Sequence, residues 1–286
     1  MLERQLHQLH LNKDLLQENF DRALNGKIRV GYCFSLPTIE ASLSMQRGIK
    51  LAKQALEQKG FELVPFVFTV EELMEAKELY LGLIAHAFVL KNYKRMIENY
   101  ERPLANTTKS YNFFNLNPII KFVLMKILEF KGEKRFVEQV RHFKPLNDDQ
   151  LDQLMIRQRD FYEKMHKKWN SLGIEALIMP THAIPAFKHV NNGEVGGFND
   201  YLTAFTITHY PIGVVPVTEV QEGEDLTYDD GVNDMITMNI KKDMKGTVGL
   251  PVTIQVVGQL WEDETVLGVM KAIDKTIKFR KRPQNF

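Results

Sequence analysis

Lys27-Ile28-Arg29-Val30-Gly31-Tyr32 alternates with a period of two, the pattern of a half-buried strand. Residues 39–59 follow with helical spacing and stop at Gly60, and Phe61-Glu62-Leu63-Val64-Pro65-Phe66 reads as a second strand. Strand, helix and strand in immediate succession predict a βαβ unit with its two strands parallel.

The alternation continues outward on both sides. Upstream, Leu2, Leu6, Leu9, Leu16, Phe20 and Leu24 recur at spacings near three and four, an amphipathic helix over residues 1–26 that Gly26 ends. The segment has no continuous apolar core and carries Glu3, Asp14, Glu18 and Asp21, so it reads neither as a secretory signal nor as a transit peptide. Downstream, helical stretches are expected over Glu71–Glu98 and residues 148–171, with a short helix over Tyr201–Thr208 and a closing helix over Glu262–Lys278. Strands are expected at Ile174–Pro180, Pro211–Val217 and Pro251–Gly258, and an aperiodic acidic loop over Val220–Asn233. Interleaved helices and strands make the chain α/β.

Composition narrows the function. Of 286 residues 44% are hydrophobic and 26% charged, which excludes disorder, collagen-like repeats and a disulfide scaffold. Thirty-seven Lys and Arg against 36 Asp and Glu leave a net charge of +1, so no global field draws the chain to nucleic acid, and none is expected as a partner. One cysteine, Cys33, fits a reducing compartment, and no run of 18 apolar residues marks a spanning helix. The location expected is cytoplasmic, or peripheral on an intracellular membrane.

Chemistry is sparse. Serine occurs five times, at 35, 42, 44, 110 and 171, and no nucleophile elbow, phosphate loop or zinc-type Cys/His set is present. His182 and His189 follow a strand end without further ligands at metal spacing, and His7 and His10 share a helix face without a third. Cys33 at a strand end reads as a small buried hydrophobe, and Ser42 and Ser44 as helix caps. Asp229-Asp230-Gly231 lacks the ligand pattern of a calcium loop, and Lys241–Lys245 reads as a solvated face. No metal, no cofactor and no catalytic residue is assigned.

One stretch differs. In Pro118–Phe130, Ile119, Ile120, Val123, Leu124, Ile127, Leu128 and Phe130 cover about half a helix circumference, with Lys121, Lys126 and Glu129 expected opposite. Such a helix is either buried or interfacial on a membrane.

Three late segments together resemble the amidase signature hydrolases: Glu175-Ala176-Leu177-Ile178-Met179-Pro180-Thr181, Pro211-Ile212-Gly213-Val214-Val215-Pro216, and Gly249-Leu250-Pro251-Val252-Thr253-Ile254-Gln255-Val256-Val257-Gly258 with Trp261. Within the family the chain is most similar to fatty acid amide hydrolases, on Tyr210–Thr218, on Ile28–Tyr32 and on the roughly 30-residue stretch between the last two strands. The resemblance implies a three-layer α/β/α fold with a mixed sheet and hydrolysis of lipid amides. It implies a serine, a bridging serine and a lysine, which belong to a segment N-terminal to the region matched; none of the five serines here lies in such a glycine-rich loop. The chain therefore reads as residues 1–26 plus a C-terminal part of an amidase domain over 27–286, inactive alone, with a cap-like helical segment at about 111–144. By the same resemblance Leu83, Ile84, Phe88, Phe136, Val140 and Phe143 would line an acyl channel, and Ile119, Ile120, Val123, Leu124 and Ile127 would meet a membrane. The alternative is a non-catalytic lipid-binding protein. A divided sheet should expose a strand edge and an apolar face, which predicts a homodimer, aggregation or pairing with a missing N-terminal half.

Overall fold

The computed structural model describes residues 13–86, 91–102, 108, 111–113, 115–142, 144, 146–186 and 200–281. Helix α1 (Lys13–Leu24) precedes strand β1 (Arg29–Tyr32), α2 (Leu43–Glu57), β2 (Glu62–Pro65), α3 (Val70–Ile84) and α4 (Lys91–Glu98). Then come α5 (Pro118–Phe130), α6 (Lys134–Arg141), α7 (Asp148–Leu172), β3 (Ala176–Pro180), α8 (Asp200–Thr208), β4 (Ile212–Glu219), α9 (Met235–Met244), β5 (Pro251–Gly258) and α10 (Asp263–Ile277). Of the stretch expected as helical over Glu71–Glu98, Val70–Ile84 and Lys91–Glu98 are helices, and residues 87–90 lie outside the described residues.

Capping places the helix ends. Thr69 and Glu72 form a capping box at the start of α3, and Asn147 and Gln150 another at the start of α7. Gly173, at φ 63°, closes α7 in the left-handed conformation that glycine adopts freely. Ser42 stands at the start of α2, yet its hydroxyl makes no cap bond and instead meets Ser44 Oγ at 3.0 Å, so the capping role expected of the pair is not filled.

The five strands form one mixed sheet in the order β2-β1-β3-β5-β4. β1 runs parallel to both β2 and β3, whereas β5 is antiparallel to β3 and β4. The pleat sends alternate side chains to opposite faces. Val30, Ala176, Ile178, Ile254 and Val256 pack on Ile49, Ala52 and Leu56 of α2 and on Val266, Val269 and Ile273 of α10. Leu177, Met179 and Val257 pack on the other side with Leu79 of α3, Phe161, Met165 and Trp169 of α7, and residues of α8 and α9. This is the three-layer α/β/α arrangement. A β-carbon on Gly213 would lie 2.0 Å from Met270 Sδ, so glycine there lets α10 settle directly on β4.

Both edge strands carry a proline. The amide of Phe66 donates to Tyr32 O, so in the parallel ladder Pro65 faces away from β1, and it has no N–H to offer there. In the antiparallel pair Gly258 N donates to Pro211 O, which by alternation turns the nitrogen of Pro216 outward on β4. A bulge between Pro216 and Thr218 interrupts the same edge further on.

Candidate functional site

The segment leaving β1 turns across the carboxyl ends of the parallel strands, where open α/β sheets bind ligands. Helix α8 holds it: Tyr201 Oη donates to Ile39 O at 2.8 Å and accepts from Leu36 N, while Thr38 Oγ1 donates to Asp200 Oδ2 at 2.9 Å. The same carboxylate is ion-paired at 2.8 Å with the buried Lys77 of α3. Burial pushes the Tyr201 phenol well above its usual range, so it stays a neutral hydrogen-bonding hub.

This turn and the end of β2 enclose a cleft of about 510 Å³. Tyr32, Phe34, Phe66, Val67 and Phe68 make its apolar wall, and Ser35, Thr38, Glu40, Arg135 and Asp230 its polar rim. Ser35 Oγ accepts from Ala41 N, and Cys33 Sγ donates to Ser35 O. Burial raises the Cys33 thiol to about 11, so at neutral pH it is a protonated, inert hydrophobe, as its sequence context suggests. His182 is pushed down to about 4 by burial and is a neutral structural side chain. His7, His10 and His189 lie outside the described residues. No group of three metal-ligating side chains occurs among the described residues.

Arg135 ties the helical hairpin α5–α6 to the body. Its Nε donates to Asp234 Oδ2 at 2.7 Å, and Nη1 donates to Asp230 Oδ2 at 2.6 Å. Thr237 Oγ1 accepts from Nη2 and donates to Asp230 Oδ1, and Asp234 also caps α9 through Thr237 N. Glu133 adds a bond from Met235 N at 2.9 Å. Burial is the largest single influence and works against both aspartates, but hydrogen bonds from Arg135, Thr237 and the backbone, with the Arg135 charge, together hold their carboxyls below the usual range. The acidic loop that looks structureless in sequence is thus the anchor of the hairpin. Arg135 is about a hundred residues from both carboxylates in sequence, so no local pattern could reveal the cluster.

Beyond that anchor α5 stands clear, with none of its side chains buried. Ile119 is 74% exposed, Phe122 64% and Phe130 94%, and Ile120, Val123 and Ile127 are also exposed. Leu124 and Leu128 turn inward and are half-buried. The polar placement expected for Lys126 is corrected: helical geometry sets it in the row Phe122, Lys126, Phe130, inside the exposed arc, while Lys121 takes the inner side. Phe122 joins the arc although sequence reasoning passed it over; its i, i+8 relation to Phe130, two i, i+4 steps through Lys126, was the available signal. Of the residues expected to line an acyl channel, Leu83 packs partly buried on the core, Ile84 and Phe136 are half-buried, and Val140 is buried. Helices α3 and α6, which carry them, are in contact. Phe88 and Phe143 lie outside the described residues. No helix of the described residues is long and apolar enough to cross a membrane.

The Amidase family model matches residues 4–267. The chain belongs to that family. Fatty-acid amide hydrolase 1 of Sus scrofa is 24% identical over 270 residues, covering 90% of this chain and 44% of the relative. Fatty acid amide hydrolase 1 of Caenorhabditis elegans is 22% identical, covering 87% and 43%. The chain thus spans less than half the length of these relatives. A solved fatty acid amide hydrolase superposes with TM-score 0.64 at 16% identity, over 89% of this chain and 40% of that one. The peptide amidase of Stenotrophomonas maltophilia superposes with TM-score 0.52 at 14% identity, over 94% and 47%. These superpositions establish the amidase fold for this family member.

Proposed function

We propose that this amidase-family chain serves the hydrolysis of fatty acid amides, and that it does so at a lipid surface met by α5. The observation that carries the reading is the exposed arc of six large apolar side chains on a helix with no buried residue, whose hairpin is fixed to the acidic loop and α9 through Arg135. Burying such an arc in a headgroup region removes it from water at about 1.5 kcal/mol or more per side chain. The names of the relatives supply the substrate class, and the half-buried and buried residues of α3 and α6 supply apolar surface beside the hairpin for an acyl chain.

The four serines among the described residues are poorly placed for attack on an amide, and Ser110 lies outside them. Ser42 and Ser44 are buried against each other, Ser35 Oγ is taken by Ala41 N, and Ser171 Oγ donates to Lys168 O. The nucleophile and base are assigned to polypeptide outside these 286 residues, and the chain by itself should not turn over a long-chain fatty acid amide.

Co-sedimentation with phospholipid vesicles tests the lipid reading: the chain should pellet with vesicles, and a folded Ile120→Asp/Ile127→Asp variant should stay in solution. Unchanged pelleting of that variant sinks the assignment of α5. Amide turnover by residues 1–286 alone would overturn the assignment of the nucleophile.

A further inference from the structure

We propose that the cleft at the ends of β1 and β2 binds an apolar ammonium ion, its alkyl or arylalkyl body on the aromatic wall and its cationic head at Glu40. The binding stands apart from the membrane reading of α5. Only its use as a substrate subsite, for fatty acid amides that also carry an ammonium group, rests on the function proposed above.

Size and lining select the body. About 510 Å³ suits a small ligand, and the wall is built from two edge-to-face ring pairs, Tyr32 with Phe34 at 5.4 Å and Phe66 with Phe68 at 4.9 Å. Phe34 is 36% exposed and Val67 70%, so the apolar wall reaches the mouth of the cleft. These rings already attract ammonium groups of the chain itself. Lys53 Nζ lies 5.2 Å from the Tyr32 centroid, and Lys168 Nζ lies 4.9 Å from that of Phe66.

Charge selects the head. Arg135 is the cation that lines the cleft among the described residues, and its donors are taken. Its nitrogens donate to both carboxyl oxygens of Asp234, to Asp230, to Thr237 Oγ1 and to Thr38 O. Lys53 and Lys168 are likewise matched, by Glu57 and Glu72. Two carboxylates on one guanidinium leave the clamp net negative, and Glu40 adds a second negative charge. Glu40 is exposed; its Oε1 accepts from Gln46 Nε2 at 3.3 Å, and no cation among the described residues pairs with it. The cleft is greasy inside and anionic at its mouth. A carboxylate or phosphate would find the Arg135 donors occupied and meet Glu40 as a like charge. A neutral chain would fill the wall and leave Glu40 unanswered.

The test titrates the full chain by calorimetry, at neutral pH and low salt, with n-octylammonium, 1-octanol and octanoate, three probes with the same number of carbons. The ammonium should bind at least about tenfold more tightly than the alcohol, and octanoate more weakly than either. Glu40→Gln, at an exposed position, should bring the ammonium to within about twofold of the alcohol and leave the alcohol unchanged. Phe34→Ala should weaken both. Equal affinity for the ammonium and the alcohol, a preference for octanoate, or no binding of any probe overturns this inference and leaves the expectation for vesicles untouched. Ammonium binding that survives in a folded Ile120→Asp/Ile127→Asp variant supports the cleft. Binding lost there and kept in Glu40→Gln would assign the probe to α5 and overturn the proposal.

Discussion

Helix α5 and strand β3 are both dominated by large aliphatic residues, yet every side chain of β3 is buried and none of α5 is. β3 sits between β1 and β5 with helices on both faces, so its residues have nowhere to go but the core. α5 is attached to the body by the hairpin's Arg135, and its outer arc is exposed. Apolar content tells how much a segment gains by leaving water; only tertiary neighbours tell which environment takes it in.

The contrast is sharpest in stability. Trp169, fully buried against Phe66 and Tyr210, should cost about 3–5 kcal/mol when changed to Ala. Phe130→Ala, the removal of a similarly large ring from α5, should change urea unfolding by less than about 0.5 kcal/mol. Comparable losses at both sites would show that α5 packs as core.

Acid separates the regions next. His182 has a folded pKa of about 4, below its ordinary 6.5, so its neutral form stabilises the body fully above the unfolded value. That contribution, at most about 3 kcal/mol, is lost as pH falls from near 6.5 through 4. Asp230 and Asp234 also titrate below their unfolded values, so the clamp should hold above the ordinary carboxylate range and loosen only at lower pH. Thermal melting of wild type and His182→Gln across pH 7 to 4 should show a flatter dependence in the variant. Proteolysis of the hairpin should increase only below that window.

Asp234→Ala leaves Arg135 with one carboxylate and α9 without its cap. A loss of about 2–3 kcal/mol is expected, with early proteolytic cutting between residues 118 and 141 while the sheet stays intact. If the hairpin and the sheet unfold together in this variant, the two regions are one cooperative unit. The smallest effect on stability belongs to Ile120→Asp/Ile127→Asp, within about 0.5 kcal/mol by chemical denaturation. The same pair should abolish sedimentation with vesicles.

Much of the sheet was legible in the sequence, because alternation, flanking glycines and strand-ending prolines are local signals. Strand order and direction were not: the antiparallel turn of β5 against β3 is decided by packing across seventy or more residues. Helix α2 begins at Leu43 rather than near 39, since the preceding residues are drawn to Tyr201 and Asp200 of α8. The face of α5 was half legible. Its apolar breadth was plain, but which half turns outward depends on where α6 lies, and that put Lys126 outside and Leu124 inside. The clamp was invisible for the same reason, being assembled from α6 and a loop without periodicity.

The prolines at the two sheet edges bear on how concentrated solutions of this protein should behave. With outward donors missing at Pro65 and Pro216, strand-on-strand growth has no continuous ladder to extend. Association should instead run through the greasy helix, giving micelle-like clusters that mild detergent disperses and that leave amyloid dyes dark.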